Sequence, residues 1–250
     1  MLAKFANWTA PANVSALTTT RSPGFSKPPF DANNLGLHVG DNFEDVKANR
    51  HALKTSFNRP LDPEWLDQIH SNVCVVVEEE SNRVADAAIT RHSDRTLIIM
   101  TADCLPIVLT NKQGTEIAAI HSGWRGLVTG VIENTLNKMQ SPREHLIAWI
   151  GPAICQSCYE VGDEVLNSYQ SRYTFASQAF RPKGKKMLAN LPLLAQLVLK
   201  SLDVLTVFQS NICTFEQNTD FYSYRRTPQT GRMATLIWFN EPNQDKKYGS

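Results

Sequence analysis

The sequence predicts an α/β protein of the α+β kind, in one domain over residues 1–250, and three observations carry that reading. Short apolar runs of strand length are bounded by turn residues at 97–100, 107–109, 117–120, 146–150, 204–209 and 233–239. Stretches with apolar residues at helical spacing lie among them, at 43–57, 128–139 and 192–202. No internal repeat, low-complexity tract or linker interrupts the 250 residues, a length that buries a sizeable core.

Composition narrows the class. The chain is 42% hydrophobic and 20% charged with a formal charge of +1, which gives no reason to expect a nucleic-acid or membrane partner. No apolar run reaches transmembrane length, and the opening MLAKFANWTAPANVSA lacks the continuous apolar centre of a signal peptide. Five cysteines is an odd number in a chain too large to need disulfide staples, so reduced thiols in a cytoplasm are expected.

In chain order, residues 1–17 read as a strand-like lead-in broken by Pro11. Residues 18–42, rich in Gly, Pro, Asn and Asp, read as a long structured loop of the kind that often carries function. In the helix expected at 43–57, Val46, Asn49, Arg50, Leu53 and Phe57 share one face. A polar Asn49-Arg50 pair there is either turned outward or includes an anion-binding arginine. Residues 65–77 become strand-like at their valine-rich end, with His70 just before it and Gln68 two residues earlier, and 85–90 form a short strand carrying Asp86.

Residues 100–126 are the centre of the chain. A polar turn at Asn111-Lys112-Gln113-Gly114 divides the runs at 97–109 from that at 117–120, so a β-hairpin or two neighbouring strands are expected. Asp103-Cys104 stands at the mouth of the first arm and His121 at the end of the second, which brings thiol and imidazole to one end of a sheet. Such a pair suits a soft metal or a Cys/His nucleophile. The turn Ser122-Gly123-Trp124-Arg125-Gly126 leads into a helix at 128–139, where free backbone N–H groups and Arg125 favour an anion.

Further along, a strand at 146–150 leads into Gly151-Pro152 and then a helix start at 161–169. Cys155-x-x-Cys158 has no second CxxC and no thioredoxin-like surroundings, so it reads as coincidence. Residues 170–188, polar and basic, read as a solvated loop. Tyr222-Ser223-Tyr224-Arg225-Arg226 mixes aromatics and arginines suited to a planar, anionic ligand. Residues 243–250 read as a mobile tail.

Collected together, His70, Cys104 and His121 form a three-ligand set for zinc with a fourth position open to water or substrate, the form catalytic zinc sites take. Asp103 and Asp86 are expected to orient the histidines. Six histidines without a His-x-His pair fall short of a multicopper centre, although one Cys and two His would also hold a single copper. With no metal, Cys104 as nucleophile, His121 as base and Asp103 or another carboxylate as orienter would make an acyl hydrolase.

The segments QIHSNVCVV, ADAAIT, TADCLPIVL, AAIHSGWRGL, IGPAICQSCYEVG and FYSYRR…GRMA, with TTTRSPGFSKPPFDANNLGLHVGDN…NR before them, match a known family in order and spacing. The chain resembles, over nearly its whole length, the bacterial family long called polyphenol oxidase or laccase-like, later named purine nucleoside phosphorylase/adenosine deaminase. A mammalian laccase-domain-containing protein is related to it.

That resemblance implies a sandwich of mixed β-sheets flanked by helices, without a Rossmann sheet, and a zinc centre on His70, Cys104 and His121. It implies phosphorolysis of adenosine, inosine, guanosine and methylthioadenosine, and hydrolytic deamination of adenosine. Purine nucleosides and phosphate are then the partners, with Arg50, Arg125, Arg225 and Asn34 as candidate substrate or phosphate ligands. A monomer is the expected state. Some relatives are implicated in editing peptidoglycan precursors, which fits amide hydrolysis. Cys155 departs from the family, which usually has glycine there.

Overall fold

The structure, a computed structural model, describes residues 2–56 and 63–240. Met1, Phe57 on the expected helix face and the tail expected at 243–250 lie outside the described residues. In chain order the strands are β1 (Ala3–Phe5), β2 (Val14–Thr19), β3 (Cys74–Val76), β4 (Ala87–Thr90), β5 (Thr96–Thr101), β6 (Leu105–Asn111), β7 (Ile117–Ser122), β8 (Leu146–Ile150), β9 (Glu160–Val161), β10 (Phe180–Lys183), β11 (Lys186–Ala189), β12 (Thr206–Gln209) and β13 (Met233–Phe239). The helices are α1 (Phe43–Ser56), α2 (Trp124–Thr129), α3 (Val131–Lys138), α4 (Asp163–Gln170) and α5 (Leu191–Ser201). None is long and apolar enough to cross a membrane.

Two sheets face each other. One has four strands in the order β1-β2-β13-β5, the other six in the order β12-β8-β6-β7-β4-β3, of mixed direction. Val14, Ala16, Leu97, Ile99 and Ile237 of the first pack on Val75, Ala88, Val108, Ala119 and Trp149 of the second. The period of two along each strand sends the alternate residues outward. Ile89, Ile107, Ile120 and Ile150 therefore meet Leu127, Ile132, Leu194 and Val198 of the helices beyond. On the far side of the small sheet, Leu17, Ile98 and Leu236 meet Leu35 of the preceding loop and Leu53 of α1. Helix, sheet, sheet and helices thus form four layers. Because both sheets are covered on both faces, their strands read as continuous apolar runs.

The expected hairpin forms between β6 and β7, with Pro106 opposite His121 and a left-handed Gly114 (φ 65°) in the turn. The run at 97–100 does not belong to it. It is β5, which leaves for the other sheet and pairs with β13. The break falls at Asp103, whose φ of 87° ends one strand and redirects the chain into the next. Three other expectations change. The helix at 128–139 is two helices, α2 and α3, split at Gly130 with φ 97°. The basic stretch 170–188 is not simply a loop: it holds the hairpin β10–β11, which joins β9. Its outward lysines, Lys183 and Lys186, pair with Glu160, and that charge hid the strand pattern. Lastly, the end of β2 takes the first residues of the expected 18–42 loop.

Asn49 and Arg50 both face inward. Asn49, 1% exposed, accepts from Phe25 N and donates to Ser26 Oγ, Ala32 O and Asn34 O, holding the 25–34 loop against α1. Truncating it leaves four partners unmet, of which Ser26 and Asn34 are buried. Asn49→Ala is expected to lower stability by about 4 kcal/mol at roughly 1 kcal/mol for each of the four lost bonds, read as the shift in a urea unfolding midpoint.

Candidate functional site

The site lies where the two sheets meet at the β6 mouth. Gln68 fixes one side: its amide donates to Met100 O at 2.9 Å and accepts from Met100 N at 2.8 Å, tying the segment before His70 to β5. His70 follows in a left-handed turn, φ 61°. Cys104 immediately precedes β6, and His121 is the penultimate residue of β7. One ligand atom from each of the three lies within 4.8 Å of the others. Cys104 Sγ is 3.9 Å from His70 Nε2, and the two imidazoles meet edge to face at 4.8 Å between centroids.

One buried carboxylate holds both histidines. Asp86 accepts from the backbone N–H of Ile69, His70 and Ser71 and from Ser71 Oγ, which shapes the His70 turn. It also takes His121 Nδ1 at 2.8 Å. Burial alone would push the Asp86 carboxyl up, but His121 and Ser71 outweigh it and hold it below its ordinary value. Burial likewise acts to raise the Cys104 thiol, yet hydrogen bonds with His121 and His70 bring it down to about 6. Burial acts to lower His121, while Asp86 and Cys104 raise it to about 9. The cluster therefore favours a thiolate beside oriented imidazoles, which suits a soft metal or a nucleophile.

Glycine is required beside the cluster. A Cβ on Gly123 would come within 2.9 Å of His70 Cδ2 and 3.1 Å of Cys104 Sγ. Gly123→Ala is expected to weaken the binding of an added soft metal ion by about tenfold or more, by moving the side chains that could hold it, as a competitive chelator titration would show.

A cavity of about 370 Å³ opens over the cluster, large enough for a small-molecule ligand. Trp124, Tyr159 and Tyr224 supply aromatic surface, and Arg125, Arg225 and Arg232 supply cations. Arg125 stacks on Trp124 at 4.5 Å and Arg225 on Tyr159 at 4.9 Å, so each guanidinium is held by a ring that also lines the cavity.

Other expected residues are placed differently. Asp103 lines the cavity, but its carboxylate accepts from Thr214 Oγ1, Ser223 Oγ and Arg225 N at 2.7–2.9 Å. It clamps the 214–225 loop, and Asp86 is the carboxylate that contacts a histidine. Arg50 lies outside the lining. It stacks on Trp65 at 3.6 Å and donates to Leu35 O, and burial lowers its guanidinium to about 10. Asn34 is fully buried, with its amide bonded to Gly36, Asp41 and Arg232 N. Both build the wall behind the site, because most of the 18–42 loop is packed against α1, with His38 as its residue that reaches the cavity. His38, Tyr159 and Arg232 line the cavity without having been singled out from the sequence. Arg232 stands at the mouth of β13 as Cys104 does at that of β6, and that placement was the available signal.

Residues 15–240 match the family described as multi-copper polyphenol oxidoreductase laccase, and the chain belongs to that family. It is 43% identical over 237 residues to a purine nucleoside phosphorylase of Haemophilus influenzae, covering 93% of this chain and 97% of that one. It is 41% identical over 233 residues to purine nucleoside phosphorylase YfiH of Escherichia coli, covering 92% and 96%. Among solved structures, Neisseria meningitidis protein NMB0706 superposes with a TM-score of 0.91 at 41% identity, over 95% of this chain and 99% of that one. The mixed α/β fold of sheets flanked by helices is thus shared with that structure.

Proposed function

We propose that this protein is a cytoplasmic zinc enzyme of purine nucleosides, cleaving adenosine, inosine, guanosine and methylthioadenosine with phosphate and deaminating adenosine with water. The observation that carries this reading is the convergence of His70, Cys104 and His121 under a cavity lined by aromatic rings and three arginines. The likeness to two purine nucleoside phosphorylases supports it. Five free cysteines fit a reducing compartment.

The donor set of two imidazoles and a thiolate, within reach of one ion, fits zinc with an open fourth position. Zinc there supplies a Lewis acid and a water acidified towards neutral pH. The chain's own residues do the remainder. Arg125, Arg225 and Arg232 bind phosphate so that an oxygen bonds to ribose C1′ as the bond to the purine breaks. Trp124, Tyr159 and Tyr224 offer faces for the base. Thr101 Oγ1, buried on the cavity wall, has no hydrogen-bond partner among the described residues and suits a polar group of the substrate. Asp86 keeps the proton on His121 Nδ1, so that the other ring nitrogen faces Cys104.

The test combines metal analysis with turnover. Protein purified without added metal is expected to carry zinc and to release hypoxanthine from inosine only when phosphate is present. Zinc-loaded protein that cleaves no nucleoside would overturn the reading. A second reading has a specific observation behind it: Cys104, His121 and Asp86 also form a nucleophile–base–carboxylate chain. Amide hydrolysis of a peptidoglycan precursor by protein stripped of metal would favour that alternative.

A further inference from the structure

A second set of soft ligands lies outside the cavity. Cys155 and Cys158 stand at the ends of a 3-10 turn after β8, and Cys213 and Glu216 follow β12. The three sulfurs and a Glu216 carboxylate oxygen all lie within 4.8 Å of one another. Cys155 Sγ and Cys158 Sγ are each 3.6 Å from Glu216 Oε1, and Cys155 N donates to Cys213 Sγ at 3.3 Å. The two segments are joined by a bridge from Ala153 to Cys213. All three thiols are free.

We propose that Cys155, Cys158, Cys213 and Glu216 form a second metal site, closed by four protein ligands and structural in role, for a soft divalent cation of the zinc class. Tetrahedral zinc–thiolate bonds of about 2.3 Å set sulfur–sulfur edges of about 3.8 Å, and the cluster needs only small side-chain shifts to reach them. Thiolates select zinc-class ions over magnesium or calcium. A polar cavity of about 470 Å³, lined in part by Cys155, Cys213 and Glu216, gives an ion its way in.

The site's position gives it a task. Ile154 and Tyr159, on either side of the cysteine pair, line the catalytic cavity. Thr214, next to Cys213, is one of the groups that Asp103 clamps. An ion on these four ligands would staple the 154–159 wall to the loop that carries Tyr224 and Arg225. None of its ligands is shared with the first cluster, and the proposal does not depend on which substrate that cluster serves.

Cobalt distinguishes the two sites, because Cys104 is the sole sulfur of the first. Metal-stripped, reduced full-length Cys104→Ala is titrated with Co²⁺ and read by absorbance. A saturable thiolate-to-cobalt charge-transfer band with intense tetrahedral visible bands is expected, at one equivalent. Adding Cys158→Ser should remove about a third of the charge-transfer intensity and weaken Co²⁺ binding by tenfold or more. Adding Glu216→Gln, at an exposed position that spares the fold, should keep that intensity and weaken binding by about tenfold. The proposal is overturned if Cys104→Ala shows no charge-transfer band, or if Cys158→Ser leaves the band unchanged. A disulfide among the three cysteines in reduced, purified protein, seen by intact mass, would overturn it as well.

Discussion

Cys104→Ala is expected to abolish phosphate-dependent inosine cleavage, lowering kcat/KM by about a thousandfold or more, equivalent to about 4 kcal/mol of transition-state stabilisation. The substitution removes the only sulfur from a cluster whose other donors are His70 and His121. Two imidazoles alone hold zinc much more weakly and no longer define a tetrahedral open site. The packing cost is small, since Cys104 is only half-buried, so the variant should unfold close to where the parent does. Steady-state kinetics and metal analysis on the same preparation check both halves. Undiminished inosine cleavage by Cys104→Ala would remove the cluster from the mechanism, whatever its metal content.

Asp86→Asn should act on fold and metal together. This fully buried carboxylate serves four donors around His70 and a fifth at His121 Nδ1. The amide keeps one acceptor oxygen but puts an NH₂ against a group that itself donates. Breaking a buried, charge-assisted network from one side costs about 3 kcal/mol or more. Loss of the histidine's orienting partner costs roughly 10–100-fold in metal affinity. Urea unfolding of the metal-free protein reads the first effect and chelator competition the second. A variant with parental zinc affinity would mean that the His70 turn and the His121 ring are fixed by other contacts.

Legibility in the sequence followed burial and locality. The β6–β7 hairpin was readable because one polar turn separates two apolar runs, and the mouth of that hairpin placed Cys104 near His121. The departure of β5 was not readable, since Leu97–Met100 is as apolar as the strands it leaves and its partner β13 lies at the far end of the chain. Arg50 drew attention as a polar residue on the inward stripe of an expected helix and Asn34 through the family resemblance, yet their atoms are spent on backbone groups and neighbouring side chains. Arg232 escaped because a lone arginine before a strand carries no periodic signal. Cys155-x-x-Cys158 read as coincidence for a related reason. Its companions Cys213 and Glu216 are brought to it by the parallel pairing of β12 with β8, and no local pattern announces a contact across that distance.

The placement of β13 between β2 and β5 has a consequence for synthesis. While the chain emerges from the ribosome, the six-stranded sheet can assemble as far as β12, but β2 and β5 wait with open edges for a strand made after all the others described. Until then the apolar faces of Leu97, Ile99 and Ile237's future neighbours stay uncovered, a state in which nascent chains pair with one another. Carboxy-terminal truncations ending before β13 should therefore aggregate rather than merely lose activity.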